Sequence, residues 1–195
     1  LPTGLVEVPK RVAAYLDAGE PPIVFTPGTV NQHARAYFKA AVDGCRLLGR
    51  RGMLITKHPE QLPENLPPGV EHFDYVPFSY LLPRSAALVH HAGTGTTALC
   101  LAAGIPHVLT PMSFSQPDIA ARLERLGVGK SVGGKPTGRS LAGAISKLLA
   151  SEEVKRRCED LAARFKGVQP IEDACDLLEE LVGSDMHRRA TELVH

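Results

Sequence analysis

The chain is 195 residues long, 44% apolar and 22% charged, which fits one globular domain able to bury about 70% of its unfolded surface. Its 22 Lys and Arg stand against 21 Asp and Glu, so no charge excess argues for a nucleic-acid partner or an anionic membrane. No apolar run approaches the roughly 20 residues of a transmembrane segment, and the opening "LPTGLVEVPKRV" lacks the basic start and apolar middle of a signal peptide.

Residues 1–20 read as a linker or domain start. "PPIVFTPG" is a β-branched run closed by Pro27 and Gly28, a predicted buried strand ending in a turn. From Asn31 to Leu48, the residues Ala34, Tyr37, Phe38, Ala41, Cys45 and Leu48 recur at spacings of three or four and predict an amphipathic helix. "GMLITK" is the next strand, ending at Lys57. "HPEQLPENLPPG", with four prolines, is loop, and "VEHFDYVPF" is a strand stopped by Pro77. "SAALVHH" reads as a buried strand, followed by the turn "AGTG" and a helix from about Thr96 to Ala103 with Gly104 as its cap. "IPHVLTP" is a further strand. Gln116 to Leu126 is a helix with Ile119, Leu123 and Leu126 on one side and Gly127 at its end, and "VGKSVGG" is an edge strand.

The remainder reads as helical. Ser151 caps a segment with Glu152 and Glu153 at its positive start and Val154, Cys158, Leu161, Ala162 and Phe165 inward. Pro170 opens another, with Ile171, Ala174, Leu177, Leu178 and Leu181 inward, and residues 184–195 form a polar tail. The cysteines Cys45, Cys100, Cys158 and Cys175 show no paired spacing and are expected to be reduced and buried, as in a cytoplasmic protein.

Helices alternating with continuous apolar strands predict an α/β domain with a doubly wound, Rossmann-like parallel sheet. Ligands bind such sheets beyond the carboxyl ends of the strands. That directs attention to Pro27-Gly28-Thr29, to His90-His91-Ala92-Gly93 and to Thr110 through Gln116.

The helix after "HHAGTG" carries no charge. A helix start offers unpaired amides and about half a positive charge, which suits phosphate. Gly93 and Gly95 remove Cβ atoms that would hold a pyrophosphate away, and Thr96 and Thr97 can cap the helix or donate to phosphate. The absent acid fits, because a carboxylate there would repel the ligand. His91 stands where a ring N–H reaches a phosphate, while His90, one residue earlier on a strand, faces the other way. The alternative is that both histidines pack at a strand end.

Gly93, Gly95 and Ala98 also satisfy G-x-G-x-x-A, the pattern of a nicotinamide dinucleotide site. That site expects an acid about 20 residues on, whereas the next strand ends "HVLTP". The chain has no GxxxxGK[ST], no Asp-x-Asp, no metal-binding histidine spacing and no G-x-S-x-G. Neither a cofactor nor a metal is expected; helix start and side chains would hold a phosphate by themselves.

The stretch from Tyr75 to Gly129, with its strand ending in His-His, its Gly-x-Gly-Thr turn, Ala-Gly-x-Pro and a later Gln-Pro, resembles the donor-binding half of GT-B glycosyltransferases of the UDP-glucosyltransferase superfamily. The antibiotic and sterol glucosyltransferases look most similar, and the resemblance extends over about residues 5–183. It implies the C-terminal half of a GT-B enzyme, with the nucleotide-sugar donor domain at 21–183. It also implies an inverting, metal-independent hexosyl transfer, with UDP-hexose ahead of thymidine donors. Tyr75, Val76 and Phe78 would then meet the base, Gly28 and Thr29 approach the diphosphate from the cleft, and Gly93, Thr94, Gly95 and Thr96 hold the phosphates. His91 would stabilise the leaving group, and Ser115 and Gln116 would hold the sugar. Ser115 stands where relatives have an acid, and Leu99 where many have a ribose-binding glutamate. The acceptor site and catalytic base would belong to an N-terminal domain, so this chain would bind donor without catalysing alone. A nucleotide-sugar epimerase, a nicotinamide enzyme and a nucleotide-binding module without turnover are the other readings.

Overall fold

The computed structural model describes residues 9–28, 34–168 and 172–181, and the chain divides into two compact units, Leu1–Ala163 and Arg164–His195. In the first unit four short apolar runs form the middle of a sheet. β1 (Ile23–Thr26), β2 (Gly52–Ile55), β4 (Ala87–His90) and β5 (His107–Leu109) are buried at every position. They read as unbroken apolar runs because helices cover both faces. β3 (Val70–Phe73) and β6 (Gly129–Ser131) form the two edges and are only partly buried.

Every strand pair is parallel, in the order β3-β2-β1-β4-β5-β6. The order reverses between β1 and β4, where Ile23 lies beside Ala87 and Thr26 beside His90. Crossovers leave that point in opposite directions and open a crevice beyond the strand ends.

Successive residues of a strand point to opposite faces, and the core follows that rule. Ile23, Phe25, Leu54, Val89 and Val108 lie in the cluster shared with α2 (Arg35–Leu48) and α6 (Gly138–Leu149). Val24, Met53 and Leu88 lie in the cluster of α1 (Lys10–Asp17) and α4 (Thr94–Ala103), beside the short α3 (Phe78–Leu81). Leu109 packs with α5 (Gln116–Arg125) and α7 (Glu152–Ala163). The α2–α6 crossing is tight because Gly138 has no side chain: a Cβ there would lie 2.5 Å from the Asp43 Cβ. A capping box starts α6, with the Thr137 hydroxyl accepting from Ser140 N at 3.1 Å and the Ser140 hydroxyl accepting from Thr137 N at 2.9 Å.

Several boundaries differ from the sequence reading. Residues 10–17, within the expected linker, form α1, whose Tyr15 hydroxyl donates to the Gly52 and Gly69 carbonyls at 2.9 and 2.8 Å. The helix after β1 is described from Arg35, and Asn31 lies outside the described residues. β3 stops at Phe73, three residues short of Val76, where Asp74 and Tyr75 leave the ladder, and Phe78 begins α3. α4 begins at Thr94 rather than Thr96, with Gly93 as its N-cap, and Gly104 ends it at φ 70°. Leu126 is 43% exposed, so α5 buries Ala120 and Leu123 instead. In α7, Cys158 is buried as expected, and in the second unit Phe165 is exposed.

Residues 172–181 are helical, and Leu177, Leu178 and Leu181 are exposed rather than inward; Pro170, Ile171 and the tail 184–195 lie outside the described residues. Cys45, Cys100 and Cys158 are free and buried, but Cys175 is exposed. Burial pushes the thiol of Cys45 up to about 12 and that of Cys158 up to about 11, which keeps both protonated and inert. No helix among the described residues is long and apolar enough to cross a membrane.

Candidate functional site

The ends of β1 and β4 lie side by side at the switch point, and one side chain fills the space between them. Gly28, two residues beyond β1, has φ 89°, a conformation that only glycine adopts without strain. A Cβ there would lie 2.6 Å from His91 Cε1, and a Cβ on Gly93 would lie 2.4 Å from His91 Nε2. The imidazole is therefore wedged between two glycine backbones. The ring by itself already excludes a side chain at Gly93. A Cβ on Gly95, by contrast, would meet nothing within 4 Å.

Half-burial lowers the pKa of His91, so the ring is neutral near pH 7 and offers one N–H. Its Nδ1 is buried without a hydrogen-bond partner among the described residues. The ring stands beside the start of α4, whose first turn carries neither an acid nor a side-chain cap. The first amides of a helix have no intrahelical acceptor. Thr97 is the first residue to close the ladder, its amide donating to Gly93 O at 2.9 Å. Its buried hydroxyl has no partner among the described residues, so Thr97 does not cap the helix. Thr94 and Gly95 are exposed and Thr96 is half-buried, so this turn presents amides and hydroxyls outward. Unpaired amides at a helix start are of the kind that suits an anion.

Two further loops leave the same end of the sheet, beyond the carboxyl ends of β3 and β5. Tyr75 is 64% exposed on the loop beyond β3, while the Val76 side chain is buried and Phe78 packs into the same cluster as Leu99 of α4. The segment 75–78 is thus anchored by Val76 and Phe78 with Tyr75 free to face a ligand. Beyond β5, the neighbour of β4, the exposed Ser115 immediately precedes α5. Gln116 Oε1 accepts from the amides of Met112 and Ser113 at 2.9 and 3.3 Å, which commits its carbonyl to holding the loop and leaves its amide group as the donor. Thr29 lies outside the described residues.

The sequence reading missed two residues. Among the described residues, Ala92 at φ 64° and Phe114 at φ 58° are the non-glycine residues with positive φ, and they sit in the loops after β4 and β5. Ala92 is fully buried, whereas Phe114 is 96% exposed. Such conformations cluster at functional sites. Nothing in the local sequence marks either residue, because left-handed backbone is a signal carried by glycine or asparagine.

This strand order is that of the doubly wound α/β class, a fold shared with the GT-B glycosyltransferases. Residues 53–178 match the family described as Erythromycin biosynthesis protein CIII-like, C-terminal domain, and the chain belongs to that family. It is 33% identical over 175 residues to O-mycaminosyltylonolide 6-deoxyallosyltransferase of Streptomyces fradiae, covering 85% of this chain and 39% of that protein. It is 37% identical over 146 residues to vancomycin aglycone glucosyltransferase of Amycolatopsis orientalis, covering 73% of this chain and 35% of that one. The chain thus spans well under half the length of either relative. Among solved structures, the calicheamicin glycosyltransferase CalG4 superposes with a TM-score of 0.74 at 23% identity, over 85% of this chain and 44% of that one.

Proposed function

We propose that this domain binds the nucleoside diphosphate of an activated hexose and serves as the donor half of an inverting, metal-independent glycosyltransferase. The observation that carries the reading is the His91 ring, wedged between Gly28 and Gly93 beside the acid-free, uncapped start of α4. In the whole enzyme an acceptor hydroxyl, deprotonated by a base in a partner N-terminal domain, would attack the anomeric carbon from the face opposite the diphosphate. The bond to the leaving oxygen breaks as the new one forms. The amides of Thr94, Gly95 and Thr96 and the ring N–H of His91 then receive the charge that develops on the diphosphate. They are already in place and cost no reorganisation.

On this reading Tyr75 stacks on the base, the backbone of Val76 meets its edge, and Phe78 anchors that segment. Thr29 and Gly28 border the diphosphate from the β1 side, and Ser115 with the Gln116 amide takes sugar hydroxyls. The compartment is the cytoplasm, where the four thiols stay reduced.

Calorimetric titration with UDP, dTDP and NAD, each with chelator, tests the proposal. One nucleoside diphosphate should bind and NAD should not. His91→Ala should weaken that binding by about 1.5–3 kcal/mol. An unchanged affinity in His91→Ala places the phosphates elsewhere, binding of NAD favours the nicotinamide reading, and strict dependence on magnesium contradicts the metal-free one.

A further inference from the structure

Behind the His91 loop lies a second pair of rings. His90 and His107 are both fully buried, on adjacent strands β4 and β5, and their rings face one another with His90 Nε2 3.0 Å from His107 Nδ1. The backbone amide of Ala92 lies 3.2 Å from His90 Nδ1. An amide N–H donates only, so His90 Nδ1 must be the bare, accepting nitrogen. The proton of the neutral ring then sits on Nε2 and donates to His107 Nδ1. That in turn places the His107 proton on Nε2, which is buried without a partner among the described residues. One backbone amide therefore fixes both tautomers, and protonation of His90 at Nδ1 would remove the acceptor.

The amide held this way belongs to Ala92, the fully buried residue at φ 64°. A left-handed alanine is strained and persists only where its surroundings enforce it. Here the turn at Ala92 carries the chain from His91 directly into Gly93, against which the His91 ring rests. We infer that His90, as its Nε2–H tautomer backed by His107, is a positioning residue that holds the Ala92 turn and so sets His91 against the start of α4. Its functional meaning rests on the donor-binding reading; its structural content does not. Burial and the neighbouring histidines lower the pKa of His90, which keeps the pair neutral and the arrangement intact near pH 7.

The side chain of asparagine bonds the amide two residues on, as in an Asx turn, so His90→Asn restores an acceptor for Ala92. His90→Gln places its amide group one bond too far out, at the level of Nε2. The first measurement is a long-range 1H–15N spectrum of the 195-residue chain labelled at histidine, with His90 and His107 assigned by substitution. Both should carry the proton on Nε2; a proton on His90 Nδ1 overturns the inference. The second is titration of UDP and dTDP into the wild type and both variants. His90→Gln should lose about tenfold or more in affinity and His90→Asn should recover most of it. Equal losses in the two variants, or none in either, overturn the inference. If the wild type binds neither nucleotide, the donor-binding reading fails. The inference is then decided by the tautomer and, in uniformly 15N-labelled protein, by the Gly93 amide resonance, which His90→Gln should move further than His90→Asn does; equal shifts in the two variants overturn it.

Discussion

At the residue scale, Gly93 and Gly95 look interchangeable in "AGTG", yet they have different reasons to be glycine. A side chain at 93 strikes the His91 ring, while one at 95 extends into open space. Gly95 lies inside α4, so Gly95→Ala should raise stability by about 0.5–1 kcal/mol. The same methyl would stand in front of the first-turn amides and should weaken nucleoside diphosphate binding. Urea denaturation and titration of that one variant test both halves. A Gly95→Ala protein that gains stability and keeps full affinity removes this amide from the ligand. Phe114 and Ala92 show where local reading stops: each residue type argues against the left-handed backbone it adopts.

At the element scale, the contrast between α6 and α4 separates stability from function. The α6 capping box and the Gly138 crossing lie on the opposite face of the sheet from α4. Thr137→Ala should cost about 1 kcal/mol through the lost cap. Gly138→Ala should cost about 1–3 kcal/mol through overpacking against Asp43. Neither should change nucleotide affinity at temperatures where the protein stays folded, which parallel melting and titration would check. The strands were legible because β1, β2, β4 and β5 are covered on both faces and so appear as uninterrupted apolar runs. α1 was not: with Val12, Tyr15 and Leu16 as its only buried residues, its two turns carry too little periodicity to separate from a linker. The end of β3 was misplaced because "DYVPF" alternates like a strand, while Val76 and Phe78 are buried by a loop and a short helix.

At the scale of the whole molecule, the strand order was not written in any local pattern, and neither was the cross-strand meeting of His90 with His107. Both depend on which strands become neighbours. The buried pair makes the fold sensitive to acid. His107 is held down to about 3 by burial, against about 6.5 for an exposed histidine in the unfolded chain. As pH falls below 6.5 the unfolded state gains a proton that the folded state refuses, so stability is full above that value and declines toward pH 3. One unit below 6.5 the loss from His107 alone is on the order of 1 kcal/mol. Urea midpoints at pH 7.5 and 5.5 measure it, and His107→Gln should show a shallower decline; equal declines in the two proteins would assign the acid sensitivity to other groups.

The wedge at the switch point also ties distant positions together. Gly28 belongs to one strand end, His91 and Gly93 to another, and the volume at 91 decides what is tolerated at 93. A smaller residue at 91 opens room for a side chain at 93, so the two substitutions should not be additive. Gly28 keeps its own restriction through its positive φ. A library meant to reshape this crevice one position at a time would therefore score Gly93 as immutable, and only joint variation of 91 and 93 would reveal the alternatives.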